Sequence, residues 1–201
     1  MAIAAMRTGV RLEIFTVAWM AVEAVLAIGA GIAARSVLLT AFGFDSVIEL
    51  LSGVTLLWWL SAEARGAATA RIEGMEHRAI QISAALLVLL CGYVVLTGVA
   101  GLLLRLHPEG SVLGVATSAA AVVVMPLLAW RKLRVNKTLD SPALRADIAE
   151  TLTCAYMAAA TLVGTALNLL AGWWWAEYVA ALALLVFIVL ETREALEAAR
   201  S

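Results

Sequence analysis

The chain has 201 residues, of which 64% are hydrophobic and 14% are charged, and its mean hydropathy is +0.97. Soluble domains contain about 45–50% apolar and about 25% charged residues, so this composition excludes an ordinary soluble domain and indicates an integral membrane protein. The formal net charge of −1 says little about function, because the placement of the charges matters more than their sum. No nucleic acid is expected as a partner.

Six segments are long and apolar enough to cross a bilayer, which takes about 20 mostly apolar residues. They are predicted at residues 12–34, 36–61, 79–104, 111–131, 142–170 and 174–192. Charged stretches or turns with Gly and Pro separate them, and Pro142 suits the first turn of the fifth helix. The predicted fold is an all-α membrane protein, in which residues 1–201 form a single transmembrane domain of six helices.

The basic residues predict the orientation of these helices. Among all Arg and Lys residues, only Arg35 and Arg105 fall at one set of helix ends, and the rest fall at the other set. The end that is rich in Arg and Lys normally faces the cytoplasm. Both termini are therefore predicted to be cytoplasmic, in a multi-pass protein of the cell membrane (the inner membrane if the host is bacterial).

Two acidic residues stand inside the second predicted span, in "TAFGFDSVIELLSG". Asp45 and Glu49 are four residues apart, so they share one face of a helix. Acids within a span are costly and usually mark a functional path in the protein interior. The fifth span has a counterpart, because Glu150 and Cys154 show the same spacing in "ALRADIAETLTC".

These two pairs are placed symmetrically. Asp45 lies nine residues after Ser36, and Glu150 lies nine residues after Ser141. Both acids are thus roughly 13–14 Å from the start of their helix at 1.5 Å per residue. Since the two helices enter from opposite faces, both acids reach nearly the same depth. The pattern predicts two inverted halves of three helices each, with a site where the halves meet.

The chemistry of the four side chains suggests a divalent metal ion. Asp45, Glu49, Glu150 and Cys154 supply three carboxylates and one thiol, which suit zinc and also iron, cobalt or manganese. Without a cation, three midplane acids cannot all remain ionised. Metal binding is therefore expected to release protons, which is the basis of metal/proton exchange. No organic cofactor is expected.

Several of these residues have a second interpretation. Asp45 and Glu49 could instead form a polar contact between helices, and Cys154 could fill space in the core. Glu23 is an acid within the first span and has three interpretations: an extra metal ligand, a proton relay or a contact between helices. Asp147 either guides ions toward the site or caps the fifth helix after Pro142.

Three stretches resemble the cation diffusion facilitator family. They are the second helix in "RSVLLTAFGFDSVIELLSG", the fifth in "ALRADIAETLTCAYMAAATLVG" and the sixth in "WWWAEYVAALALLVFIVLETREAL". The resemblance implies six helices, a homodimer in the lipid bilayer, and export of a divalent metal against protons. It implies metal ligands at Asp45, Glu49, Glu150 and Cys154, where the family usually has Asp, Asp, His and Asp.

The sequence ends at Ser201, just after the sixth helix, so the soluble C-terminal domain of many family members is expected to be absent. Together with the altered ligands, this leaves an alternative: a membrane protein that binds metal as a sensor or to join a partner, without transport. An enzyme is not expected, because no pair of nucleophile and base is evident and metal catalysis requires an open coordination position.

Overall fold

The computed structural model describes the backbone of residues 2–63 and 70–200, with side chains at most positions outside 1–6, 59–80 and 198–201. This part of the chain forms six helices: α1 (Ala2–Ala34), α2 (Val37–Glu63), α3 (Ala70–Leu103), α4 (Val112–Leu139), α5 (Pro142–Ala171) and α6 (Trp174–Arg200). Each contains a segment long and apolar enough to span a membrane. The prediction of an all-α protein with six membrane-spanning helices is confirmed.

Four helices extend well beyond the predicted spans, and α2 and α5 differ from theirs by one or two residues at an end. α1 begins at Ala2 rather than at 12, α3 begins at Ala70 rather than at 79, α4 continues to Leu139 and α6 continues to Arg200. The predicted bounds stopped where the apolar run stopped. The polar extensions are rich in Ala, Arg, Glu and Lys, which favour helix without needing a membrane.

Local sequence signals explain the ends of α4 and α5. Ser111 and Ser141 are N-caps whose hydroxyls accept hydrogen bonds from the amides of Gly114 and Leu144, at 3.0 and 3.3 Å. Pro142 occupies the first turn of α5, as predicted. Gly172 ends α5 in the left-handed conformation (φ 69°), which glycine adopts without strain.

α2 lies at the centre of the bundle, where it packs against α1, α3, α5 and α6. The other packed pairs are α1–α4, α3–α6, α4–α5 and α5–α6. Exchanging α1 with α4, α2 with α5 and α3 with α6 reproduces every packed pair except α2–α6. This pattern supports the predicted relation between two halves of three helices.

A network of polar contacts closes the end of the bundle that carries Arg35 and Arg105. Buried Glu177 accepts hydrogen bonds from the hydroxyl of Ser36 and from Nδ2 of Asn168, the latter at 2.6 Å. Asn168 also donates to the carbonyl of Pro108 at 3.1 Å, and the Tyr178 hydroxyl donates to the carbonyl of Leu106 at 2.9 Å. The network therefore joins α2, α5, α6 and the α3–α4 connection.

Glu177→Ala is expected to lower the free energy of unfolding by about 1–3 kcal/mol, because it leaves two buried hydrogen-bond donors without their acceptor. Unfolding in mixed micelles with increasing SDS would measure the change. Glu109→Ala is a matched control at the same end, since Glu109 is exposed. Equal stability of the two variants would show that the network contributes nothing measurable.

The orientation of the bundle stays a prediction from the distribution of Arg and Lys. A reporter enzyme that is active only in the cytoplasm is expected to be active when it is fused after Ser201. A second fusion in the α3–α4 connection, after Glu109, should give the opposite result. Activity of the Ser201 fusion on the outer side alone would reverse the assignment.

Candidate functional site

Asp45 and Glu49 lie on the inward face of α2, in line with buried Leu38 and Phe42. Their exposed fractions are 1% and 5%, respectively. Within the described part of the chain, no N–H or O–H group donates a hydrogen bond to any of their four carboxylate oxygens, and the Cys154 thiol, a weak donor, is the group that faces Glu49. Burial of polar groups without a partner is costly, so these oxygens are suited to a ligand that the protein chain does not provide.

Glu23 and Cys154 adjoin these acids from α1 and α5. Glu23 Oε1 accepts hydrogen bonds from Ser46 Oγ at 2.9 Å and from Cys154 Sγ at 3.8 Å, and its Oε2 accepts one from Trp19 Nε1 at 2.7 Å. Glu23 thus makes the helix contact that was one of its three interpretations. Cys154 is completely buried and close enough to Glu49 and Asp45 to interact with their charges.

Glu150, on α5, interacts electrostatically with Asp45, Asp147 and Glu191. Across the described residues, no three His, Cys, Asp or Glu side chains converge closely enough to hold a metal ion. The structure therefore brings Asp45, Glu49 and Cys154 into one neighbourhood, while the four-ligand site stays a prediction that requires the side chains to draw together.

Glu191 on α6 is a neighbouring acid that the sequence analysis missed. Its Oε1 is buried and has no hydrogen-bond partner in the residues described, and its charge acts on both Asp45 and Glu49. Buried Leu184 and Ile188 precede it at helical spacing, and this register was a usable signal. The residue was overlooked because it lies at the very end of the predicted apolar span.

A buried ion-pair cluster, formed by Glu13, Lys132 and Asp147, was also missed as a unit. Lys132 Nζ lies 3.0 Å from Glu13 Oε2 and 2.6 Å from Asp147 Oδ2, and donates to Thr151 Oγ1 at 3.4 Å. Asp147 is therefore the partner of a lysine, and the cap of α5 is Ser141 instead. Lys132 lies just beyond the predicted end of the fourth span at residue 131, but α4 continues to Leu139 and buries it.

Together these side chains form a row of acids along the bundle interior. Asp45 and Glu49 are about 6 Å apart along the axis of α2, at 1.5 Å per residue. Glu191 interacts electrostatically with both acids and Glu150 with Asp45, and Asp147 lies one turn nearer the Arg- and Lys-rich end than Glu150. Ionisable residues within membrane spans typically mark a path for ions or protons. The arrangement is suited to binding a cation and to its movement from one acidic side chain to the next.

Comparison with known proteins agrees with this chemistry. Residues 14–201 match the family model described as the cation efflux transmembrane domain. A curated relative from Synechocystis sp. (strain ATCC 27184 / PCC 6803 / Kazusa), the uncharacterized transporter sll1263, is 28% identical over 173 residues. The alignment covers 79% of this chain and 56% of that relative, so the chain spans little more than half of the relative's length.

Proposed function

The chain belongs to the cation efflux family, and we propose that it exports a divalent transition-metal ion in exchange for protons. The observation that carries this proposal is the burial of Asp45 and Glu49 with no N–H or O–H donor from the described residues on any of their four carboxylate oxygens. A metal cation supplies the missing positive charge and the missing bonds together.

The proposed ligands are Asp45 and Glu49 from α2 with Glu150 and Cys154 from α5. α2 packs against α5, which supports this assignment. A small shift of one helix along the other changes the distances between the ligands on α2 and those on α5, and can bring them together. Zinc is the favoured cargo, since its ligands include carboxylate oxygen and thiolate sulfur in a tetrahedral shell. Iron, cobalt and manganese are the other candidates.

Proton exchange follows from the same set of acids. When the metal leaves, several carboxylates and a thiol remain close together in a medium of low polarity, where neutral forms are favoured. Protons then replace the metal, and the next metal ion displaces them. Glu23 and Glu191 adjoin the ligands and provide further carboxylates on this proposed route.

A homodimer within the membrane is part of the proposal. The large apolar residues on the outside of α3, such as Leu89 and Leu96 with exposed fractions of 68% and 73%, are available to lipid or to a second copy. The expected mass in nanodiscs is that of two chains. A monomer that transports at the full rate would contradict this expectation.

Transport into proteoliposomes tests the proposed function. Each metal is added outside vesicles that enclose a metal-sensitive dye and a pH-sensitive dye. Zinc entry with a matching alkaline change inside, as protons leave the vesicle lumen, is the expected result. Tight binding of zinc without any flux would instead favour a sensor or an interaction protein with the same fold.

A further inference from the structure

The cluster of Glu13, Lys132 and Asp147 has the structure of an occupied cation site. The ammonium nitrogen of Lys132 has three oxygens within 3.4 Å, from Glu13, Asp147 and Thr151. The contacts to Glu13 and Asp147 are ion pairs and the contact to Thr151 is a hydrogen bond, so oxygen atoms of three side chains surround the lysine charge. Glu13 and Lys132 are 0% and 1% exposed, which separates the bound charge from solvent.

The acids of this cluster retain an unused oxygen. Glu13 Oε1 is buried and has no hydrogen-bond partner among the residues that the structure describes. It faces Gly53 of α2, where an added Cβ would lie only 3.1 Å from that oxygen. Two carboxylates therefore face one lysine, and part of their capacity for a cation is not used by it.

Stability alone gives a weak reason for such a cluster. Buried ion pairs are often no more stabilising than apolar side chains of similar volume, because desolvation offsets most of their attraction. The position of the cluster is more informative. Glu150, a proposed metal ligand, interacts electrostatically with Asp147, Lys132 and Glu13. The cluster thus adjoins the row of acids on its Arg- and Lys-rich side.

We propose that Glu13, Asp147 and Thr151 form a second divalent-cation site, and that the Lys132 ammonium is its tethered occupant. The lysine competes with a metal ion for the same oxygens. Because the ammonium is attached to α4 beside the acids, its local concentration is high and it keeps free metal out at equilibrium. The donors are all oxygen, which suits harder ions such as manganese or magnesium.

This inference concerns binding and does not require that the chain exports metal. Lys132→Met removes the competing charge and retains an unbranched side chain of similar length. Lys137→Met is the matched control, because Lys137 lies on the same helix and is exposed. Electron paramagnetic resonance of added Mn²⁺ counts the ions bound to each purified variant. Lys132→Met is expected to bind one Mn²⁺ more than the wild type, and Lys137→Met the same number.

Two further variants identify where the extra ion binds. Adding Glu13→Gln and Asp147→Asn to Lys132→Met should remove the additional Mn²⁺. Adding Asp45→Asn to Lys132→Met should instead leave it bound, whether or not the proposed export site exists. An extra ion that survives the loss of Glu13 and Asp147 would overturn the proposal, as would an unchanged count in folded Lys132→Met.

The folding of Lys132→Met is a second readout. Two carboxylates left without the ammonium repel each other, so this variant is expected to unfold at a lower temperature than the wild type. Saturating Mn²⁺ should restore most of the loss, and it should do so more for Lys132→Met than for Lys137→Met. A variant that stays unfolded with Mn²⁺ present would contradict the proposal, because the bound ion should replace the missing charge.

Discussion

Asp45→Asn and Glu49→Gln are each expected to abolish metal transport while the protein remains folded. Both substitutions keep the size of the side chain and remove one negative charge from the buried face of α2. Loss of a direct ligand should exceed the roughly 10–100-fold loss of affinity that substitution of outer-shell residues causes. Zinc flux into proteoliposomes and zinc binding by calorimetry would measure the two effects.

Asp140→Asn is the matched control for these variants. Asp140 also carries a carboxylate, in the connection between α4 and α5, but its side chain is 90% exposed and pairs with Arg145 at 3.1 Å. Its substitution should leave zinc flux unchanged. If Asp45→Asn and Glu49→Gln transported zinc at the wild-type rate, the metal path would have to lie elsewhere in the bundle.

The sequence predicted those parts of the structure that depend on one helix at a time. Apolar length located all six spans, and the spacing of Asp45 with Glu49 placed both acids on the inward face of α2. Helix ends were less predictable at the polar extensions. Hydrophobicity reports where a membrane is crossed, whereas helical backbone continues through Ala, Arg and Glu beyond it.

Features that join distant helices could not be predicted in the same way. Lys132 pairs with Glu13, which precedes it by more than a hundred residues, and no periodicity within α4 indicates that partner. Glu191 reaches Asp45 and Glu49 only because α6 packs on α2. The inverted spacing predicted that Glu150 and Cys154 meet Asp45 and Glu49; Cys154 interacts with both acids and Glu150 interacts with Asp45, while metal binding by the four side chains stays a prediction.

Replacement of Cys154 is expected to change which metal the site prefers. Its sulfur is fully buried, donates a hydrogen bond to Glu23 at 3.8 Å and lies beside Glu49. Thiolates favour zinc and other softer ions, whereas carboxylates suit manganese. Cys154→Asp should therefore shift the zinc-to-manganese affinity ratio toward manganese by at least about tenfold, which corresponds to about 1.4 kcal/mol.

Cys154→Ser separates ligation by the thiolate from simple filling of the core. A hydroxyl is close in size to a thiol, but it stays neutral and binds zinc poorly, so zinc affinity should fall more than manganese affinity. The variant should also release fewer protons for each zinc bound, because one titrating group is gone.

Cys91→Ser is the matched control, since Cys91 contacts Thr192 at 3.5 Å and has no role in the proposed site. If the affinity ratio is the same in the wild type and in all three variants, Cys154 only fills the core and the ligands are the acids Asp45, Glu49 and Glu150. A changed ratio in Cys154→Ser and Cys154→Asp, with none in Cys91→Ser, would show that the sulfur binds the metal.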